Sequence, residues 1–180
     1  MTRRRADTQA ASGGFTLLEV LAAVLIVAIV ATLALPNYQD FIRNAGQAGC
    51  IANMRSINIA LHGYLQDHQA VWPQGPTPNE EQPWEQFWLS TLKPYGIAEK
   101  SWQCPSFVMS AASSGIPQDE RPRVHYVPTS FGPEPNLAYR WSTQPWLIER
   151  VSAHRNGAHI CFPDGSVKSF YKVLAEHGAR

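Results

Sequence analysis

Residues 15–35 read FTLLEVLAAVLIVAIVATLAL and contain a single charged side chain, that of Glu19. Thirteen of these residues are Leu, Ile, Val or Phe. At about −0.3 to −0.6 kcal/mol each, they outweigh a carboxylate that costs about 3 kcal/mol at the centre of a bilayer. At about 1.5 Å per residue, a helix of this length matches a hydrocarbon core of about 30 Å. The segment therefore predicts a transmembrane helix at residues 15–35.

The charged residues beside this segment predict its orientation. Arg3, Arg4 and Arg5 precede it, and no comparable basic cluster follows it. Because positively charged flanks tend to stay in the cytoplasm, we expect a cytoplasmic N-terminus and an exported C-terminal portion. A cleaved secretory signal peptide is the alternative, since it also begins with a basic leader and an apolar stretch. The apolar run is longer than the usual signal core and reaches Pro36 without a clear A-x-A site, which favours a retained anchor.

The start of the apolar segment carries a recognisable motif. Residues 13–20 read GGFTLLEV and follow a short basic leader, an arrangement that resembles the processing site of type IV pilins and type II secretion pseudopilins. The resemblance implies that a prepilin peptidase removes a leader of residues 1–14 by cutting after Gly14, and that the new amine of Phe15 is methylated. It also implies a single-pass protein of the bacterial inner membrane with a periplasmic head, which assembles with sister subunits on an inner-membrane platform.

Glu19 is the residue on which assembly would depend. A carboxylate in an apolar helix is costly and usually has a cationic partner. In a bundle of identical helices, the amine of Phe15 on a neighbouring subunit could neutralise Glu19 and set the axial register. The alternative is that Glu19 extends to the interface from near the helix end.

Beyond the apolar segment, the sequence predicts that the helix continues as an amphipathic half at residues 36–68. Apolar residues recur at intervals of three and four, at positions Cys50, Met54, Ile57, Leu61, Tyr64 and His68. Pro36 removes one helical hydrogen bond and predicts a kink there. One long N-terminal helix whose second half supports a small antiparallel sheet is the pilin architecture, so the resemblance implies an α+β fold.

Residues 69–180 are expected to form the globular head. A loop rich in proline precedes a short helix from Trp84 to Leu92. Strand-like patterns follow at residues 123–128, 136–142, 158–162 and 166–171. The last two patterns flank Pro163-Asp164-Gly165, which is typical turn chemistry and predicts a C-terminal hairpin.

The tail carries a second point of resemblance. His154 is followed by nine residues and then Asp164-Gly165, as in a subfamily of pseudopilin-like proteins. His154, His159 and Asp164 could be imagined as metal ligands, but calcium requires six or more oxygens and imidazoles suit transition metals. We therefore expect a structural hairpin, with His154 hydrogen-bonded to the backbone, and no metal.

Catalysis and nucleic-acid binding are not expected. A hydrolase built from His154, Asp164 and Ser166 is disfavoured because Asp164 is occupied by the turn and no G-x-S-x-G elbow is present. The formal net charge of +1 provides no basic field for nucleic acid. No cofactor is implied.

The three cysteines leave two readings open. Cys50, Cys104 and Cys161 show no zinc-finger spacing. They can form one disulfide and one free thiol, or all three can be small buried hydrophobic residues.

These observations favour a structural subunit, a pseudopilin of a type II secretion or type IV pilus-like system that contacts membrane lipid. The alternative is a membrane-anchored periplasmic binding module that does not polymerise.

Overall fold

The computed structural model describes residues 14–76, 81–150 and 153–178, and within these ranges it leaves the side chains of 34–37, 39, 81–82 and 177–178 undescribed. The leader predicted at residues 1–14 therefore lies outside the described residues, apart from Gly14. The chain divides into two units, Met1–Ile42 and Arg43–Arg180. The long first helix contributes residues to both.

Helix α1 spans Leu17–Asp67 and ends one residue before the expected boundary. Position 36 lies within it, but the side chain of Pro36 is outside the described residues, so the kink stays a prediction. Within the part of the chain that the structure describes, no helix combines the length and the apolarity that a membrane crossing requires.

The second half of α1 supplies one wall of the core of the head. The expected stripe is buried at Cys50, Met54, Ile57 and Leu61, which are all fully inaccessible to solvent. The stripe ends earlier than predicted, because His68 is exposed and stacks on Tyr64 with 3.8 Å between the ring centroids.

The remaining elements form a small α+β head. Three further helices are α2 (Glu81–Leu92), α3 (Pro105–Ser113) and α4 (Phe170–Gly178). The strands are β1 (Tyr126–Pro128), β2 (Leu147–Glu149), β3 (His159–Cys161) and β4 (Val167–Ser169). They form one sheet in the order β1-β2-β3-β4, with every pair antiparallel. The expected α+β class with a small antiparallel sheet is confirmed.

Two details of the head differ from the sequence prediction. The strand expected at residues 136–142 is wrong, since Leu137–Tyr139 is a short 3-10 helix that follows Asn136 in the left-handed region, at φ 63°. The strand that pairs in its place is β2, which buries Leu147 and Glu149 and exposes Ile148, so its sequence lacks the usual alternation of apolar and polar residues. Tryptophans contribute the largest side chains of the core, and Trp72, Trp102 and Trp146 are almost completely buried.

Candidate functional site

The junction between Gly14 and Phe15 lies before the first turn of α1 and is open to solvent. Residues 14–16 are not helical, and the Phe15 side chain is 81% exposed. A Cβ atom added to Gly14 would meet no atom within 4 Å. The fold itself therefore does not require glycine at position 14, and the peptide bond is accessible.

The side chain of Thr16 caps the N-terminus of α1. The Thr16 hydroxyl accepts a hydrogen bond from the backbone N–H of Glu19 at 3.3 Å, and the Thr16 carbonyl accepts from Glu19 and Val20. A threonine followed three residues later by glutamate is the capping-box pattern. Glu19 therefore lies in the first helical turn, where the helix dipole favours a negative charge. Sequence reasoning missed this local role.

The apolar side chains of α1 after this cap are uncovered on every side. Val24, Leu25, Ile26 and Val27 are each at least 60% exposed. Consecutive helical residues point about 100° apart, so four of them sample the whole circumference. Leu17, Leu18, Leu21 and Leu33 are exposed to a still greater extent. Among the described residues of the unit Met1–Ile42, no side chain covers this apolar surface, which we define as residues 17–33.

In the head, the predicted C-terminal turn is present and is anchored on α1. The Gly165 N–H donates to the Phe162 carbonyl at 2.9 Å, and Asp164 accepts from the Ser166 N–H at 2.9 Å. The amide of Asn58 donates to the Phe162 carbonyl at 3.0 Å, and His62 Nε2 donates to the Pro163 carbonyl at 2.8 Å. Asn58 and His62, one turn apart on α1, therefore hold the turn by its backbone.

A buried polar cluster lies beside this hairpin, and we define it as Glu149, His154 and His159. Glu149 Oε2 accepts from the backbone N–H and from Nδ1 of His159, both at 2.9 Å. Glu149 Oε1 lies 3.2 Å from His154 Nε2. The side chains of Glu149 and His154 are 1% and 3% exposed. Burial by itself would raise the pKa of Glu149, but the hydrogen bonds from His154 and His159 outweigh it and lower that pKa to about 2.

The polar cluster contacts a disulfide between Cys50 and Cys104. His154 Nε2 lies 3.5 Å from Cys104 Sγ. Cys161 remains a free, buried thiol, and burial raises its pKa to about 12. Of the two readings that the sequence left open, the structure therefore has one disulfide and one free thiol.

The structure separates the predicted tail residues into two places. Asp164 and Gly165 form the turn, whereas His154 joins the polar cluster. The expectation that the His154 side chain binds the backbone is wrong, because a buried carboxylate is its partner. Glu149 was missed, since the sequence contains no signal that distinguishes it from the other glutamates.

Comparisons with known proteins agree with the N-terminal motif. Residues 10–35 match the family model described as the prokaryotic N-terminal methylation motif. The chain is 34% identical over 103 residues to the competence protein ComGC of Halalkalibacterium halodurans, covering 57% of this chain and 86% of that protein. It is 26% identical over 105 residues to a ComG operon protein 3 homolog of Bacillus licheniformis, covering 58% and 94% of the two chains.

A pilin relative matches over a shorter stretch. The type IV major pilin protein PilE of Neisseria gonorrhoeae is 36% identical over 64 residues, which are 36% of this chain and 38% of that protein. No solved structure gives a significant match. The tail pattern of His154 and Asp164-Gly165 is not tested by these comparisons and stays a prediction.

Proposed function

The chain belongs to the type IV pilin-like family, and from this premise we propose that it is a structural subunit that is cleaved after Gly14 and polymerises through the apolar surface of residues 17–33. The observation that carries the proposal is this uncovered surface, which begins directly after an accessible Gly14–Phe15 junction. An apolar helix with no intramolecular partner requires lipid or other helices around it.

Processing at Gly14 is the first step of the proposal. Because nothing near Gly14 restricts a side chain there, a requirement for glycine would come from the prepilin peptidase and not from the fold. Methylation of the Phe15 amine would then follow. The test is co-expression with a prepilin peptidase and mass measurement of the product. Gly14→Val should leave the precursor uncut, whereas Gly13→Ala, the matched control, should be cut. Cleavage of both variants would refute this step.

Membrane anchoring is the second step. Because no described helix meets the requirement for a membrane span, this step rests on the methylation motif and on the composition of residues 15–35. We propose one pass through the inner membrane, a cytoplasmic N-terminus and a periplasmic head. Anchored protein should stay in the membrane pellet after carbonate extraction, and a protease added to the periplasmic side should digest the head. Recovery of the native chain in the soluble fraction would refute anchoring.

Assembly through Glu19 is the third step, and the structure provides a sharp control for it. The Glu19 carboxylate also lies in the first turn of α1, so a substitution could act through the helix dipole alone. Glu19→Gln removes the charge, whereas Thr16→Ala removes the capping hydroxyl and keeps the charge, at a cost of about 1 kcal/mol. If Glu19 pairs with the Phe15 amine of a neighbour, crosslinked ladders in membranes should disappear in Glu19→Gln and persist in Thr16→Ala.

Two other outcomes would change the proposal. Equal loss of ladders in both variants would assign the effect of Glu19 to the stability of the first helical turn, which the dipole and the Thr16 cap both support, and remove the pairing. A monomer in the wild type and in both variants, at full expression with its assembly proteins, would support the anchored binding module that does not polymerise. A subunit that is cleaved, anchored and polymerised is common to a type II secretion pseudopilus, a type IV pilus and a competence filament.

A further inference from the structure

We propose that the sulfurs of Cys50 and Cys104, with His154 Nε2 and Glu149 Oε1, form a zinc site that is available when the disulfide is reduced. The four ligand atoms lie within 4.8 Å of one another. Two thiolates, one imidazole and one carboxylate are ligand types that zinc accepts in four-coordinate sites. This set differs from the His154, His159 and Asp164 set considered from the sequence.

The distances within the site fit a tetrahedral metal. Zinc binds sulfur at about 2.3 Å and nitrogen or oxygen at about 2.0–2.2 Å, so tetrahedral ligands lie roughly 3.3–3.8 Å apart. His154 Nε2 is 3.2 Å from Glu149 Oε1 and 3.5 Å from Cys104 Sγ. The bonded sulfur pair is too close for this geometry, and after reduction rotation of the cysteine side chains can separate the sulfurs to about 3.8 Å.

The hydrogen bonds that would orient the Glu149 carboxylate toward a metal are already present. Glu149 uses Oε2 for two hydrogen bonds from His159, which leaves Oε1 directed at His154 and the sulfurs. Zinc-binding carboxylates and imidazoles are usually oriented by such outer hydrogen bonds. A disulfide alone does not require polar neighbours, and burial of a carboxylate and two imidazoles carries a desolvation cost. The convergence of these groups on the two sulfurs is what points to a metal.

Conversion of the disulfide into the zinc site requires a reductant, and a dithiol can supply it. The dithiol transfers two electrons and two protons to the Cys50–Cys104 bond, giving two thiols, and becomes a disulfide itself. Zn²⁺ then binds both sulfurs as thiolates and releases their two protons. A neutral His154 binds the metal through Nε2 as the tautomer protonated at Nδ1, so the ring proton moves from Nε2 to Nδ1 and the only protons released are those of the two thiols. Zinc and the disulfide therefore exclude each other.

The experiment uses the full chain in detergent micelles, reduced with a phosphine under nitrogen and compared with the oxidised protein. Co²⁺ serves as the spectroscopic probe. Reduced wild type should bind one equivalent, with the visible absorption of a tetrahedral site and a thiolate charge-transfer band, and Zn²⁺ should displace it. Oxidised protein should show neither band.

Variants separate the site from general thiol binding. His154→Ala removes a ligand and should weaken binding by about 100-fold or more, since loss of a residue that only orients a ligand already costs up to about 100-fold. His154→Cys should restore binding with a stronger charge-transfer band. Cys161→Ala, the matched control, should bind like wild type. Near-ultraviolet circular dichroism shows whether each variant is folded. The proposal is overturned if reduced wild type gives no tetrahedral spectrum, if oxidised protein binds equally, if His154→Ala binds normally while folded, or if Cys161→Ala loses binding.

Discussion

Acid should destabilise the head through Glu149, and the size of the effect follows from its surroundings. The hydrogen bonds from His154 and His159 lower the pKa of Glu149 from an ordinary value of 4.5 to about 2 in the folded protein. At about 1.4 kcal/mol per pH unit, this gap corresponds to about 3 kcal/mol of folding free energy. Because the unfolded chain takes up the proton first, the contribution is complete above pH 4.5. It is lost as the pH falls from 4.5 towards 2.

The measurement is the free energy of unfolding of the disulfide-linked, zinc-free protein at a series of pH values. All six tryptophans lie between positions 72 and 146, so tryptophan fluorescence reports on the head alone. Denaturant titrations in detergent should show that the free energy of unfolding falls between pH 4.5 and pH 2. The fall in wild type should exceed that in a variant without the Glu149 carboxylate by about 3 kcal/mol.

Two variants make the test specific. Glu149→Gln removes the titrating carboxylate, so it should be less stable than wild type at pH 7 and should lose this part of the acid dependence. Glu99→Gln removes a carboxylate that pairs with Arg123 on the surface, where both side chains are about half exposed. An exposed pair contributes little, so this variant should keep the acid dependence of wild type. If Glu149→Gln and wild type showed the same acid dependence, the assignment of the effect to Glu149 would be refuted.

Three further predictions concern the cysteines and the tail turn. Replacing Cys50 and Cys104 together by alanine should lower the free energy of unfolding by about 4 kcal/mol, since the disulfide closes a loop with a sequence separation of 54; urea titrations that show no loss would contradict a stabilising disulfide. Gly165 has φ +75°, a conformation that strains residues with a side chain, so Gly165→Ala should lower the free energy of unfolding by about 1 kcal/mol and Gly165→Asn by less. A lower melting temperature for Gly165→Asn than for Gly165→Ala would contradict this explanation. Cys161 should resist iodoacetamide at pH 8 in the native protein and react after unfolding, because it is buried and its pKa is raised to about 12; rapid native labelling, seen by mass spectrometry, would disprove its protection.

The dual placement of Glu19 matters for how assembly experiments are interpreted. In one chain, the helix dipole favours a negative charge in the first turn and so explains an acidic residue at position 19 without any neighbour. The hydrogen bond from the Glu19 N–H to Thr16 does not explain it, because any residue except proline could donate that bond. The pairing with a Phe15 amine adds a role that only a second copy can supply. A loss of assembly in Glu19→Gln is therefore informative only beside Thr16→Ala.

Local pattern was enough to predict the methylation motif at residues 10–35 and the long helix. The apolar run at residues 15–35, the motif around Gly14 and the stripe from Cys50 to Leu61 are properties of neighbouring residues, and helical periodicity converts them directly into an exposed or a buried face. The turn at Asp164-Gly165 was predictable for the same reason, because its geometry depends on three consecutive residues.

Tertiary structure alone decided the sheet order and the polar cluster. The strand β2 has no clear pattern of its own, and its place depends on pairing with β1 and β3. Cys50, Cys104 and Glu149 are separated by tens of residues along the chain, and nothing local predicts that they meet. Their approach depends on how α1, the start of α3 and the sheet pack around the tryptophan core, and packing of distant segments is not encoded in any short stretch of sequence.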